Sequence, residues 1–313
     1  MTIDVATVRK LVSEQFPEWA DLEVRQVDSD GTVNAIFRIG DGLTARFPLI
    51  RSGENPAPAE IVEIRQGLHR EMYASQRLLG RTRFRTPVPV AIGEAGAGFP
   101  LPWTVQTWLP GTVATAADPG GSVAFATDLV DLITAMRAVE TGGATFSGRG
   151  RGGVLADHDA WMRTCFDASE GLLPVPLLRG LWETMRELPR GGDPDVMTHS
   201  DLMPGNLLVA GGRLTGVLDV GGFGPADPAL DLLCAWHLLE PGPREVLRAG
   251  LACDDAEWER GRAWAFEQSM GLVWYYERTN PVMAGIGRRT LDRIMADAAV
   301  GGMSDLRFKH SHI

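Results

Sequence analysis

The chain has 313 residues, a formal charge of −10, 44% hydrophobic and 22% charged residues. That length supplies a core without disulfides or structural metals, and no stretch reaches the roughly 18 uninterrupted apolar residues of a membrane span. The acidic balance argues against a charge-driven nucleic-acid binder and favours a cationic substrate. Cys165, Cys234 and Cys253 lack C-x-x-C spacing, which argues against a zinc site or a disulfide framework and leaves buried, reduced thiols as the expectation.

At the N-terminus Val5, Val8, Leu11, Val12 and Phe16 follow an amphipathic helical period interrupted by charges. This is no secretory signal, so a cytoplasmic protein is expected. Three runs of strand character follow, at 22–27, 34–39 and 43–49, the last two joined by the hairpin signal Gly40-Asp41-Gly42. A long amphipathic helix is predicted over 59–79 and two further strands over 87–92 and 103–109. A small antiparallel sheet with one packed helix thus accounts for residues 20–110. Beyond Trp108-Leu109-Pro110-Gly111 helical periodicity dominates, at 122–139, 157–170, 175–188, 228–238 and 255–277. The boundary is expected near residue 110, between a nucleotide-binding part over 1–108 and a helical part over 109–313.

One β-like island interrupts the helical half, at 196–209, followed by a Gly211-Gly212 turn and a run to Val220. It holds His199-Ser200-Asp201, then Asn206 five residues beyond that Asp, then Asp219-Val220-Gly221 across the predicted hairpin. Taken singly, Asp201 and Asn206 read as turn formers around Pro204-Gly205, and Asp219 as a loop cap. Together, in this order, they fit phosphoryl transfer, which asks for an aligned acceptor oxygen and a neutralised phosphate charge. Asp201 would accept a hydrogen bond from the acceptor hydroxyl. Asn206 and Asp219 would offer oxygens to a hard cation such as Mg2+. His199 is expected to support the loop from within the core.

The N-terminal half should then hold the nucleoside triphosphate, ATP or GTP. Kinase chemistry calls for a cation on the third strand, braced by a Glu on the following helix, and Arg46 and Glu71 occupy those places. The turn holding Ser29, Gly31 and Thr32 is the candidate phosphate cover, although one glycine is a weak signal. Backbone groups near Gln106, Thr107, Trp108 and Leu109 are placed to meet a nucleobase edge.

These residues resemble the aminoglycoside phosphotransferase family, which includes macrolide phosphotransferases. The likeness rests on the segment His199 to Leu208, on Val217 to Gly221, on Asp227-Pro228-Ala229-Leu230-Asp231-Leu232, and on Gly31 to Asn34, Arg46-Phe47-Pro48 and Trp103 to Gly111. It implies an α+β, bilobal protein-kinase-like fold, with a small N-terminal antiparallel sheet and one helix, and a larger, mainly helical C-terminal lobe. It also implies that Asp201 is the catalytic Asp, that Asn206 and Asp219 hold Mg2+, and that Asp227 and Asp231 support the catalytic loop from the head of a helix beginning at Pro228. Three departures stand out: Ser200 replaces the glycine of the usual His-Gly-Asp, Arg46 stands where many members carry lysine, and no arginine follows Gly221.

A polycationic aminoglycoside would need an acidic groove, for which Asp157, Asp159, Glu240, Glu267 and Glu277 are candidates by position. Trp236, Trp274, Tyr275 and Tyr276 could instead line an apolar pocket for a macrolide. A nucleotide-binding pseudokinase is the alternative from another class, disfavoured by the intact Asp201, Asn206 and Asp219. No Ala-Pro-Glu follows Asp219, which argues against a protein kinase.

Overall fold

The computed structural model describes residues 3–27, 31, 33–49 and 56–309, the side chains of 299–309 excepted. In chain order the elements are α1 (Val5–Gln15), β1 (Val24–Val27), β2 (Asn34–Ile39), β3 (Leu43–Pro48), α2 (Pro58–Leu78), β4 (Pro89–Gly93), β5 (Trp103–Thr107), β6 (Thr112–Val113), α3 (Ala114–Ala117), α4 (Val123–Arg137), α5 (Asp159–Ala168), α6 (Val175–Met185), β7 (Val196–Thr198), β8 (Leu207–Ala210), β9 (Arg213–Val217), β10 (Gly224–Ala226), α7 (Leu233–Leu238), α8 (Pro241–Leu251), α9 (Asp255–Tyr276) and α10 (Pro281–Lys309). Two compact units result. The first comprises Met1–Val113, Gly205–Ala210 and Leu214–Phe223; the second comprises Ala114–Pro204, Gly211–Arg213 and Gly224–Ile313. Among the described residues no helix is long and apolar enough to cross a membrane, and all three cysteines are free thiols.

The first unit is built on a five-stranded antiparallel sheet of order β1-β2-β3-β5-β4. Register sets its chemistry. Ala45 faces Phe37 and Val105 across the ladders, while Arg46 faces Ile36 and Thr104, so the pleat sends Ala45 and Phe47 to one side and Arg46 to the other. The apolar side meets α1, whose Val8, Leu11 and Val12 are buried. Asp4 caps that helix by accepting from the Thr7 amide at 2.8 Å. At the centre Phe47 stacks on Trp103 with centroids 4.7 Å apart, and Phe37 and Phe99 meet Phe47 edge-on. Segment 205–210 joins the unit through β8, which pairs with β6, and β9 completes that three-stranded sheet.

In the second unit α9 is the axis. It packs against α5, α6, α7 and α10, and it is buried on every side, with Ala263 to Val273 all in the interior. Such a helix has no solvent face on which to park polar residues, so its Arg260, Glu267 and Gln268 must find partners inside. Three helices have no counterpart among the predicted elements, the single turn α3 and the longer α8 and α10. Pro241-Gly242-Pro243 looks like a breaker yet opens α8, because proline at the first helical position has a suitable φ and lacks only an amide that has no intrahelical partner there. Asn280-Pro281 opens α10 in the same way, with Asn280 accepting from the Met283 amide at 3.1 Å. Conversely, the helix expected from Pro228 begins only at Leu233, after a 3-10 turn over Leu230–Leu232.

Among the described glycines of the first unit Gly93 is the most tightly enclosed: a Cβ there would lie 2.1 Å from Cε2 of Trp103, whose indole donates to the Glu94 carbonyl at 3.1 Å. Gly93→Ala is expected to destabilise the protein by about 1–3 kcal/mol through overpacking. Urea denaturation checks this, and an unchanged midpoint contradicts it.

Candidate functional site

In the second unit the candidate site starts from a buried carboxylate. Asp231, 1% exposed, lies in the 3-10 turn before α7 and accepts the main-chain amides of His199 at 2.9 Å and Ser200 at 3.1 Å, one on each carboxylate oxygen. Burial pushes its pKa up, while His199 and the two amides pull it down. The amide bonds compensate the charge for its lost hydration. They also hold a strained backbone: Ser200 has φ of 70°, a left-handed conformation that costs a non-glycine residue about 1–2 kcal/mol. The replacement of the usual glycine therefore falls at the one loop position where glycine is cheapest.

Asp227 anchors the same turn. It accepts the Ala229 amide at 3.0 Å and a two-pronged contact from Arg260 at 2.9 and 3.1 Å, and both side chains are buried. Arg137 donates to the Pro228 carbonyl at 2.7 Å and to Glu257 at 2.6 Å. Asp227 and Asp231 thus do not head a helix as the sequence led us to expect. Each is a buried acceptor that ties the 227–232 turn to other segments. His199 is wholly buried, and its Nδ1 accepts from the Asp201 amide at 3.3 Å. Asp201 itself is partly exposed, and its Oδ1 accepts from Gln268 Nε2 at 2.7 Å and from Arg151 at 3.1 Å.

The first unit holds a second cluster. Arg46 on β3 forms its ion pair with Asp219, at 2.7 Å, instead of the Glu71 partner anticipated. Asp219 has φ of 53° and stands half-exposed at the start of a 3-10 turn, Val220–Gly222. That turn packs so closely on α2 that a Cβ on Gly221 would lie 2.7 Å from Cγ of Glu71. Burial raises the Glu71 pKa, Arg46 lowers it and Asp219 raises it again. Asn206 is tied to this turn through its carbonyl, which accepts the Leu218 amide at 2.7 Å. A carboxylate and an amide oxygen so tied are the hard donors that Mg2+ takes alongside phosphate oxygens and water. Among the described residues there is no group of three or more His, Cys, Asp and Glu that could hold a metal ion.

A pocket in this unit is lined by Arg46, Leu68, Glu71, Met72, Ser75, Pro89, Thr104, Val105, Gln106, Val220 and Gly221. It collects Arg46, Glu71 and Gln106 of the expected nucleotide set. Trp108 and Leu109 do not line it; the Trp108 amide donates to Gly42 and the Thr107 amide to Val88, so these donors are spent within the sheet. Ser29 and Thr32 lie outside the described residues.

The acidic substrate candidates are scattered and largely paired. Glu240 bonds Arg293 at 2.9 Å, Glu277 pairs with Arg288, and Asp159 accepts from Trp182 and Arg186. Asp157 is exposed. Only Glu267 sits beside Asp201's partners, its Oε1 on His158 Nδ1 at 2.8 Å and its Oε2 3.9 Å from Arg151. Trp236 is core, whereas Trp161, Trp274, Tyr275 and Tyr276 form a row of ring contacts with centroids 6.0, 5.6 and 4.8 Å apart. Arg137, Arg151, Arg260 and Gln268 were missed. For the last two the available signal was polar residues on a helix with no polar face.

The hydrogen bond to Glu267 holds the His158 pKa above its usual 6.5, against the opposing effect of burial. A raised histidine pKa stabilises the fold fully below the unfolded value, and the contribution is lost as pH rises through the folded one. The stability difference between wild type and His158→Gln is therefore expected to be largest below about pH 6 and to shrink as pH rises past neutrality. Urea titrations at several pH values check this; a difference that grows with pH contradicts it.

Comparison with known proteins places the fold and the family. The profile of the phosphotransferase enzyme family matches residues 25–264. An aminoglycoside 3'-phosphotransferase from Escherichia coli is 46% identical over 61 residues, a stretch covering 19% of this chain and 22% of that enzyme. Among solved structures, the GDP complex of aminoglycoside 2'-phosphotransferase-IIIa superposes with a TM-score of 0.67 at 16% identity, over 95% of this chain and 100% of that one. The apoenzyme of a macrolide 2'-phosphotransferase from Brachybacterium faecium gives a TM-score of 0.59 at 19% identity, over 89% and 97% of the two chains. These structures share the kinase-like fold, and the chain belongs to the phosphotransferase enzyme family.

Proposed function

We propose that the protein transfers the γ-phosphate of ATP or GTP to a hydroxyl of a small, antibiotic-like molecule, with an aminoglycoside as the first substrate class. The observation that carries this reading is the clamp on the Asp201 loop: a buried carboxylate holds the two residues before Asp201 by their amides. In the reaction the hydroxyl gives its proton to Asp201, its oxygen bonds to the γ-phosphorus, and the bond from that phosphorus to the β–γ bridging oxygen breaks, leaving a nucleoside diphosphate. Asp201 aligns the attacking oxygen and accepts the proton, which suits a transfer that needs positioning more than covalent help.

Asn206 and Asp219 would hold Mg2+, which when bound supplies positive charge to the β- and γ-phosphate oxygens. Arg46, already paired with Asp219, brings a fixed cation to the phosphate tail, and an arginine offers a planar fork where lysine offers a point charge. Glu71 lines the same pocket as Arg46, and the charges of Arg46 and Asp219 both act on it. Gln106 contributes to the nucleotide pocket. The matched stretch of the Escherichia coli enzyme and the solved complexes of relatives with GDP, with ADP, with ATP and streptomycin, and with gentamicin support the nucleotide and the aminoglycoside class. A cytoplasmic location fits a nucleotide-consuming enzyme.

One observation favours a macrolide instead. Most of the acidic candidates are neutralised by arginines, whereas the aromatic row from Trp161 to Tyr276 includes two exposed rings, Trp161 and Tyr275. Transfer of labelled γ-phosphate to a panel of both classes, with and without magnesium, decides between them. Asp201→Ala is expected to lower turnover by about 10²–10⁴-fold with nucleotide binding retained. Asp219→Ala is expected to weaken magnesium–nucleotide binding as well. Wild-type turnover in Asp201→Ala would overturn the assignment.

A further inference from the structure

We infer that Gln268, held by His237, is a positioning residue that fixes the plane of the Asp201 carboxylate; this rests on the reading of Asp201 as the proton acceptor. The three side chains belong to the second unit, on α9, on α7 and in the loop after β7. Gln268 Nε2 lies 2.7 Å from Asp201 Oδ1, and Gln268 Oε1 lies 3.0 Å from His237 Nε2. His237 Nδ1 in turn lies 2.9 Å from the hydroxyl of Thr290 on α10. His237, Gln268 and Thr290 are buried.

The chemistry of each link sets the orientation of the next. An amide turned the other way would set its oxygen against the Asp201 carboxylate, two acceptors facing each other, so Nε2 takes that side. Oε1 then faces His237 and requires an N–H on Nε2. Burial pushes the His237 pKa down to about 3, so the ring is neutral and has a single N–H. Nδ1 is then the unprotonated nitrogen and faces the Thr290 hydroxyl. The same hydroxyl also lies 2.9 Å from the Ile286 carbonyl, an oxygen that the helix already serves through the Thr290 amide. The carboxylate thus sets the amide, the amide sets the His237 tautomer, and the buried ring in turn holds the amide in that orientation.

The consequence falls on the reaction. The terminal torsion of an aspartate is soft and roughly two-fold, so a carboxylate alone on a loop has no single plane. Gln268 and Arg151 both donate to Oδ1. Those two donors restrict the plane in which the carboxylate can present an oxygen to the hydroxyl. A misplacement of about 1 Å at a reacting group costs on the order of 10²-fold in rate, so the effect belongs in turnover and not in nucleotide affinity.

The test uses Gln268→Met, which keeps the side-chain volume and removes both hydrogen bonds, and the same change in the Asp201→Ala background. Transfer of γ-phosphate to the accepted antibiotic is measured, with the slow hydrolysis of the nucleotide by water as an acceptor-free rate, and a crystal structure of Gln268→Met is solved. We expect kcat to fall by about 10–100-fold, KM for the nucleotide to stay within about twofold, and the Asp201 carboxylate to rotate or split. Adding Gln268→Met to Asp201→Ala is expected to cost nothing more, because a residue that acts through Asp201 has nothing left to position. Wild-type kcat in Gln268→Met with an unmoved Asp201, or an undiminished loss in the Asp201→Ala background, overturns the inference while leaving Asp201 as the base. Full activity of Asp201→Ala alone overturns the underlying reading instead.

Discussion

A carboxylate with almost no exposure to water, Asp231, accepts two consecutive main-chain amides, and the loop that ends in Asp201 depends on that grip. A carboxyl group buried this deeply is costly unless its oxygens are satisfied, and breaking one side of such an arrangement is far more damaging than never having built it. The loop has a matching weakness in the left-handed backbone of Ser200. Each feature explains the other: the strained turn aims two adjacent amides the same way, and the carboxylate that receives them pays for the strain. Asp227, gripped by Arg260, and Arg137, bound to the Pro228 carbonyl, hold the far end of the turn so that Asp231 arrives where the amides point.

The charge pattern of the first unit follows a different principle. Three ionisable groups, Arg46, Glu71 and Asp219, influence one another, with one cation shared between two acids. The ion pair goes to the half-exposed Asp219, while partial desolvation pushes Glu71 toward its neutral form. A cluster that carries one more acid than base suits an added cation. Under the proposed reaction a magnesium ion bound there would supply that charge and free the Arg46 guanidinium for phosphate oxygens. The close packing of α2 on Gly221 keeps Glu71 at a fixed distance from that exchange.

Much of this was legible in the residues, and the reasons for the failures are physical. The antiparallel sheet follows from period-two alternation and from Gly40-Asp41-Gly42, and Arg46 was placed by its position between Ala45 and Phe47. The order Asp201, Asn206, Asp219 was readable because the chemistry concentrates it in one short stretch. The supporting residues were not, since Arg137, Arg151, Arg260 and Gln268 reach the site from helices and loops far along the chain, where local pattern has no voice. Proline at the head of α8 and α10 misled because the same residue ends one helix and starts another. The acids proposed for a cationic substrate were chosen by position alone, and most are bound to arginines that sequence does not place beside them.

The grip of Asp231 on the loop can be tested without any substrate, by amide hydrogen exchange at His199 and Ser200 followed by NMR in wild type and in Asp231→Asn, whose side chain keeps the shape but has a single accepting oxygen. Both amides are expected to exchange slowly in the wild type, and at least one to exchange about tenfold faster or more in the variant, as the loss of a charge-assisted bond requires. Rapid exchange of both amides in the wild-type protein would contradict the clamp, and with it the basis for presenting Asp201 as the proton acceptor.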